Sequence, residues 1–436
     1  MPLSRKQFLT AAALSVPATL ALAACAGDQR EKDEGGDSEN VTIAVMSWLP
    51  TTVQWDEIYA AFQKENPGIT IDFTNGEDQD QFETLLGNEI VAGTVPEVYG
   101  IRTGAVFEDF AQYAMPVEEY GSEWIDKVRA TPKEETTTAD GVLAAVPVLT
   151  AGSEYYLYNK TLMDELGLSL PTTYDEVVAV AKAATEAGYS PFALGGSDTW
   201  HVADFFVWMS NQFGEGGTVY KAALGEVPWD DDVLVEAATA WQKLFNDGVF
   251  QQASLTTTTY PSARDDFFLS RKAIAMPTGS WHVGMTLVGP DKEQPGSAAE
   301  NDEIGMAVFP TIGPKDAGVT SGVDFALAVS AEAEGAKLDA AAKFVEFMAT
   351  GTGQQMYVNM LQGFPVAEGV EVEVADDEPE LGKESVKLVT DTLAESVYAR
   401  KLVAPGNDSL EADLGAVLQA IAGGADPKTE LAKLNK

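Results

Sequence analysis

Cysteine is almost absent from this chain: Cys25 is the single thiol in 436 residues. A disulfide needs a second cysteine, and a nucleophilic thiol needs a base and an orienting group beside it, so neither use of sulfur is served. Histidine is nearly as scarce. His201 and His282 are the only two, too few for an imidazole-rich metal site, and each reads as a polar loop residue. Basic residues are also few, 27 Lys and Arg against 68 Asp and Glu for a net charge of −41. Nucleic acid is therefore not an expected partner, since phosphate neutralisation needs clustered cations. The sequence has no phosphate loop of the Walker type, no Gly-x-Ser-x-Gly elbow and no paired-cysteine site. A metal would have to be held by carboxylates alone, and neither metal nor cofactor is expected.

What is present begins at the N-terminus. Arg5 and Lys6 precede an apolar stretch from Phe8 to Ala24, broken by Pro17, with small residues at its end. That is the layout of an export signal, and the stretch is too short and too rich in Ala, Thr and Ser for a membrane span. "LAAC", Leu22 to Cys25, resembles the lipobox of bacterial lipoproteins, in which cleavage leaves Cys25 as a lipid-modified N-terminus. "SRKQFL" is similar to a twin-arginine export motif with Lys6 in place of the second arginine, which leaves the export route open. Residues 1–24 thus read as a signal peptide and 25–40 as a flexible, self-repelling acidic spacer. The remaining length exceeds what one core usually serves and predicts two lobes.

Along that remainder, short apolar strands alternate with amphipathic helices, the pattern of an α/β chain. "VTIAVM" reads as a strand, Trp55, Ile58, Tyr59 and Phe62 as one helix face, and "ITIDF" as a second strand. Phe82, Leu85, Leu86 and Ile90 form another helix face before "PEVYGI", giving a β-α-β-α-β opening. Thr173 and Glu176 make a capping box after Pro171, for a helix ended by Gly188. "SPFAL" reads as a strand. Leu234, Ala237, Ala238, Trp241, Leu244 and Phe245 make a helical stripe closed by Gly248. Leu410, Leu414, Val417, Leu418 and Ile421 make another, with Ser409 as the expected N-cap.

The aromatic residues discriminate further. Trp55, Trp208 and Trp241 lie within helical patterns and are expected in cores. Trp48, Trp200 and Trp281 sit at strand edges or in turn-like contexts, "SWLP", "GGSDTWH" and "PTGSWHVG". Ligands of α/β lobes gather outside the carboxyl ends of strands. An indole there offers a flat apolar face and one donor, suited to the C–H face of a pyranose ring; its alternative use is packing between lobes.

Several segments together resemble the extracellular solute-binding proteins of ABC importers, in the sugar-binding group that includes maltose-binding protein. "YLYNKTLMDELGLSLPTTYDEV" is similar to that family's "YYNK…GL..P.TWDE". "GTVPEVYGI" resembles its "G..PDV" turn with Glu97 for Asp, and "RKAIAMPTGSW" its "GKAAM…GSW" with Arg271 where glycine is commoner. "GMAVFPTIG" and "SGVDFALAVS" follow in the family's order. The resemblance implies a periplasmic-binding-protein-like fold of two α/β lobes joined by hinge crossings, with a sugar or oligosaccharide held in the cleft and handed to a permease. It places lobe one at 41–148 and 318–361, and lobe two at 149–317 and 362–436. Trp48, Glu77, Asp78 and Arg102 would line the cleft from lobe one, and Ser153, Glu154, Trp200 and Trp281 from lobe two. Asp324 and Phe364 would approach it on the returning segments. Carboxylates accept from sugar hydroxyls and Arg102 donates to them, a mixture that reads hydroxyl stereochemistry. The protein would act as a monomer outside the cytoplasm, anchored to the membrane through lipidated Cys25 and without enzymatic activity. Two other classes stay open: a receptor for ferric iron, a polyamine or a peptide, with Tyr155 and Tyr156 as the feature favouring iron, and a secreted glycoside-active enzyme, whose carboxylate pair depends on a separation that sequence does not carry.

Overall fold

The computed structural model describes residues 40–435 apart from 77–78, 105, 288–293, 362, 405 and 408, and apart from the side chains of 53, 79 and 80. Cys25, Glu77 and Asp78 lie outside the described residues. The chain opens with β1 (Val41–Ser47), α1 (Thr52–Glu65), β2 (Ile69–Asn75), α2 (Gln79–Ala92) and β3 (Val98–Ile101), as the periodicity predicts. Short helices α3 (Phe107–Ala111) and α4 (Ala130–Glu135) lead to β4 (Val146–Ser153). A second series follows: β5 (Tyr155–Asn159), α5 (Lys160–Glu165), α6 (Tyr174–Glu186), β6 (Ser190–Phe192), α7 (Thr199–Ser210), α8 (Thr218–Ala223), α9 (Asp232–Asn246), β7 (Ala273–Thr278) and β8 (Ile304–Val308). The chain returns through β9 (Thr320–Val329), α10 (Gly335–Thr350), α11 (Thr352–Asn359) and β10 (Phe364–Pro365), and ends with α12 (Glu380–Glu395), β11 (Tyr398–Ala399), α13 (Leu410–Ala422) and α14 (Pro427–Leu431).

Two sheets result, and the fold is two-lobed α/β. Lobe one holds the order β10-β4-β9-β3-β1-β2, with β11 on the end of β9; lobe two holds β6-β7-β5-β8. β1 pairs in parallel with β2 and β3, whereas β9 runs antiparallel to both β3 and β4. β4 continues past Val148 because its outer half keeps pairing with β9 as far as Ser153 opposite Thr320. The sheets therefore part between Ser153 and Glu154, while Val148, the expected lobe boundary, lies inside the strand. Phe364 and Pro365, assigned to lobe two by the resemblance, pair with Thr150 and Leu149 of lobe one.

Local chemistry explains most of the elements. Thr173 and Glu176 cap α6 reciprocally, with Glu176 N–H donating to Thr173 Oγ1 at 3.3 Å and Thr173 N–H to Glu176 Oε2 at 3.2 Å. Ser409 does not cap α13: its backbone is already helical, and its hydroxyl donates to the Asp413 carboxylate instead. Arg271 sits at φ 56°, in the left-handed region where glycine is favoured, and ion pairs to Glu165 at 2.8 Å and Asp302 at 3.0 Å hold its side chain. Trp208 and Trp241 are core residues whose indole N–H groups donate to the carbonyls of Gly318 and Leu418. Trp55 stacks on Phe73 at the edge of the lobe-one core. Among the described residues, no helix is long and apolar enough to cross a membrane.

Candidate functional site

Between the lobes lies a cavity of about 650 Å³, within the range of small-molecule sites. Lobe one supplies Trp48, Arg102, Thr103 and Asp324; lobe two supplies Asp198, Trp200, Tyr260 and Trp281; Arg400 and Lys401, just after β11, form the base. Of the expected site residues in the described chain, Trp48, Arg102, Trp200, Trp281 and Asp324 line this cavity. Ser153, Glu154 and Phe364 do not line it.

Trp48 follows β1 and is mostly sealed, packing against Phe82 at 5.1 Å and Phe325 at 5.3 Å between ring centroids. The sheet allows this because residue 100 is glycine: a Cβ there would come within 2.4 Å of Ser47 Oγ and 2.9 Å of the Trp48 ring. Trp200 stands on the first turn of α7, not in a loop, because the helix begins at Thr199. Its ring lies 6.2 Å from that of Trp281 and 6.4 Å from that of Tyr260. Trp281 is the second residue of the 3-10 segment Ser280–Thr286 that follows β7. Its benzo ring leans on Gly279, where any Cβ would fall 1.9 Å from Cζ3. Its indole N–H donates to Tyr260 Oη at 2.8 Å, and the Arg400 guanidinium lies over the ring at 4.5 Å from the centroid.

Behind this aromatic patch sit both histidines, buried rather than in polar loops because α7 and the turn after β7 direct them inward. His201 stacks under Trp200 and shares a hydrogen bond of 2.9 Å with Thr259 Oγ1. His282 shares one of 2.7 Å with Thr278 Oγ1. Burial pushes His201 down to about 4, against the pull of Asp204, and His282 down to about 3. Both are therefore neutral at pH 7.

The base of the cavity carries a continuous chain of ion pairs. Glu83 of α2 meets Arg102 at 2.8 Å, and Arg102 reaches Glu411 of α13 at 3.7 Å. Glu411 pairs with Lys401 at 3.0 Å, Lys401 with Asp204 of α7 at 3.0 Å, and Asp204 with Arg400 at 2.8 Å. Arg400 then closes on Asp324 of β9. The chain leaves lobe one, crosses lobe two and returns. Burial pushes Asp204 and Glu411 up, but the neighbouring cations outweigh it and hold both below the usual carboxylate range.

The other expected residues lie behind the walls. Ser153 and Glu154 are buried at the junction of β4 and β5. Burial and the Asp204 charge push Glu154 well above its ordinary pKa, against the pull of Arg400. Phe364 pairs in β10 and packs into a buried cluster with Met276, Val283 and Leu361. Tyr155 and Tyr156 are core residues: the Tyr155 hydroxyl bonds Thr392 at 2.7 Å, and burial raises both phenols. The feature that favoured iron thus faces away from the cavity. Among the described residues, no group of three or more His, Cys, Asp or Glu is placed to hold a metal ion. Tyr260, Asp198, Arg400 and Lys401 escaped sequence reasoning. The adjacent cations at 400–401 were the available signal, in a chain so poor in positive charge.

Residues 50–355 match the family model described as bacterial extracellular solute-binding protein. The chain belongs to this family. A curated relative, the multiple sugar-binding protein of Streptococcus mutans, is 28% identical over 357 residues, covering 79% of each chain. Among solved structures, apo RafE of Streptococcus pneumoniae superposes with a TM-score of 0.68 at 21% identity, over 92% of this chain and 98% of its own. The GacH receptor of Streptomyces glaucescens, solved unliganded and with acarbose, gives 0.71 at 20% identity, over 90% and 96%. At such identities the structural likeness carries the fold.

Proposed function

We propose that this solute-binding protein captures a sugar or oligosaccharide in the cavity between its lobes and delivers it, unaltered, to an ABC-type permease. The observation that carries the reading is the patch of Trp200, Tyr260 and Trp281 beside Arg102, Asp324 and the other charged groups of the base. Aromatic faces take the apolar side of a pyranose, and charged hydrogen-bonding groups fix its hydroxyls. The name of the S. mutans relative and the acarbose complex of the GacH receptor support the same ligand class.

A ligand touching both walls favours the form in which the walls approach, since only differential contact shifts a conformational equilibrium. Binding should therefore close the lobes and raise the melting temperature. Ligand at 100 times its dissociation constant adds about 2.7 kcal/mol, worth a few degrees in a chain of this size. A thermal-shift panel of mono- and oligosaccharides should yield hits, and small-angle scattering should show a smaller radius of gyration with the best one. A broad panel without any shift would defeat the sugar assignment.

The acidic spacer and "LAAC" support a lipid tether at Cys25 that holds the receptor beside its transporter. Cys25→Ala should abolish lipid labelling and release the protein from the membrane fraction; unchanged labelling would refute the tether.

A further inference from the structure

We infer that Arg400 is a positioning residue for the sugar platform: it fixes the orientation of Trp281 and ties that orientation to lobe one through Asp324. The inference deepens the sugar reading and rests on it for ligand affinity, though not for the geometry of the platform.

Three contacts define where the Trp281 ring stands. Gly279 lets the benzo ring settle against the backbone, Tyr260 accepts the indole N–H at 2.8 Å, and the Arg400 guanidinium covers the ring at 4.5 Å from its centroid. Arg400 cannot wander, because Asp204 of lobe two holds Nε at 2.8 Å while Asp324 of lobe one holds Nη1. It is also almost fully buried, so the planar cation is desolvated and its attraction to the indole is at the strong end of the range. The guanidinium closes the face it covers to a sugar ring. The tilt of the platform follows a residue whose two anchors belong to different lobes.

The consequence concerns coupling as well as affinity. When the lobes rotate relative to one another, Asp324 moves with lobe one and Asp204 with lobe two, and Arg400 sits between them against Trp281. Any shift in the balance of the two ion pairs reaches the stacking surface directly. Lys in place of Arg keeps a cation near the ring but lacks the planar fork needed to hold both carboxylates.

The test uses the full chain carrying Arg400→Met, Arg400→Lys or Tyr260→Phe. The indole N–H resonance of Trp281, assigned with Trp281→Phe, is followed in unliganded protein, and the affinity for the tightest sugar of the panel is measured by calorimetry. Arg400→Met should move or broaden that resonance and weaken binding about ten-fold or more. Arg400→Lys should recover part of both effects, and Tyr260→Phe should move the resonance with the ion pairs intact. Arg400→Met leaves Asp204 paired with Lys401 at 3.0 Å but takes the guanidinium from Asp324; if the variant fails to fold, Arg400→Met combined with Asp324→Asn removes that stranded charge, and the resonance carries the same expectation. A folded variant with an unmoved resonance overturns the positioning role, and a moved resonance with wild-type affinity overturns its bearing on the ligand. Failure of wild type to bind any sugar would instead strike the sugar reading, while the resonance still decides the geometry.

Discussion

The two walls of the cavity use the same residue type differently. On lobe one, Trp48 is 7% exposed and wedged between Phe82 and Phe325, so it belongs to the core as much as to the cleft. On lobe two, Trp200 and Trp281 stay partly exposed, and Trp281 meets its polar needs through a tyrosine hydroxyl and an arginine. The layers behind the walls differ as well. Lobe two is backed by two neutral histidines, whereas lobe one is backed by Glu135, whose carboxylate accepts the Val323 N–H at 2.9 Å. Burial pushes Glu135 up to about 7, against the pull of that hydrogen bond and of Arg400. An aromatic near a cleft is therefore assigned by what it packs against: the lobe-one indole is wedged into a core, and the lobe-two indoles remain partly exposed to the cavity, where the stacking surface is proposed.

Truncating the two indoles should separate these roles most sharply. Trp48→Ala should cost about 3–5 kcal/mol of stability, as expected for a large aromatic removed from a core. Trp281→Ala should leave stability nearly intact and cost about 2–4 kcal/mol of sugar binding, by analogy with interface anchors. Urea unfolding and calorimetric titration of both variants check the contrast, which fails if the two profiles match. A smaller effect should come from Glu135→Gln. A carboxyl whose folded pKa is raised contributes stability that is present below about 4.5 and lost as pH rises through about 7. Glutamine keeps an acceptor without the charge, so the variant should gain on wild type between those pH values, by up to about 3 kcal/mol at pH 8, and match it at pH 4. The histidines of lobe two have the opposite sign. Their folded pKa values are lowered, so their contribution is present above about 6.5 and lost as pH falls towards 4 and 3. Unfolding midpoints of wild type and Glu135→Gln across pH 4–8 test the difference between the walls.

Much of the fold was legible because periodicity reports which face of an element is buried. The opening strands and helices, the α6 capping box and the core tryptophans all followed from local pattern. The site was legible where a residue stood beside a strand end and its side chain happened to point outward, as for Arg102 and Trp281. Ser153, Glu154 and Phe364 stand equally near a crossing. However, Ser153 and Phe364 lie in strands whose pairing keeps their side chains within the packed interior, and Glu154 is buried at the junction of β4 and β5. Nearness along the chain gives no side-chain direction. Tyr260 and Arg400 lay beyond local reasoning for the complementary reason. Neither belongs to a periodic stripe, and each reaches the cavity only because distant segments, the turn after β7 and the strand β9, bring Trp281 and Asp324 to it.

The geometry of the Trp200 and Trp281 pair has an optical consequence. Their rings lie 6.2 Å apart and are inclined by 57°, and two indole transition dipoles that close and that skewed share their excitation. Such a pair gives a two-lobed circular-dichroism signal at the strong far-ultraviolet indole band, with a shape that depends on the relative orientation of the rings. A solute settling against them, or a small rotation of either, changes the shape of that signal, so the protein carries its own spectroscopic label at the mouth of its cavity.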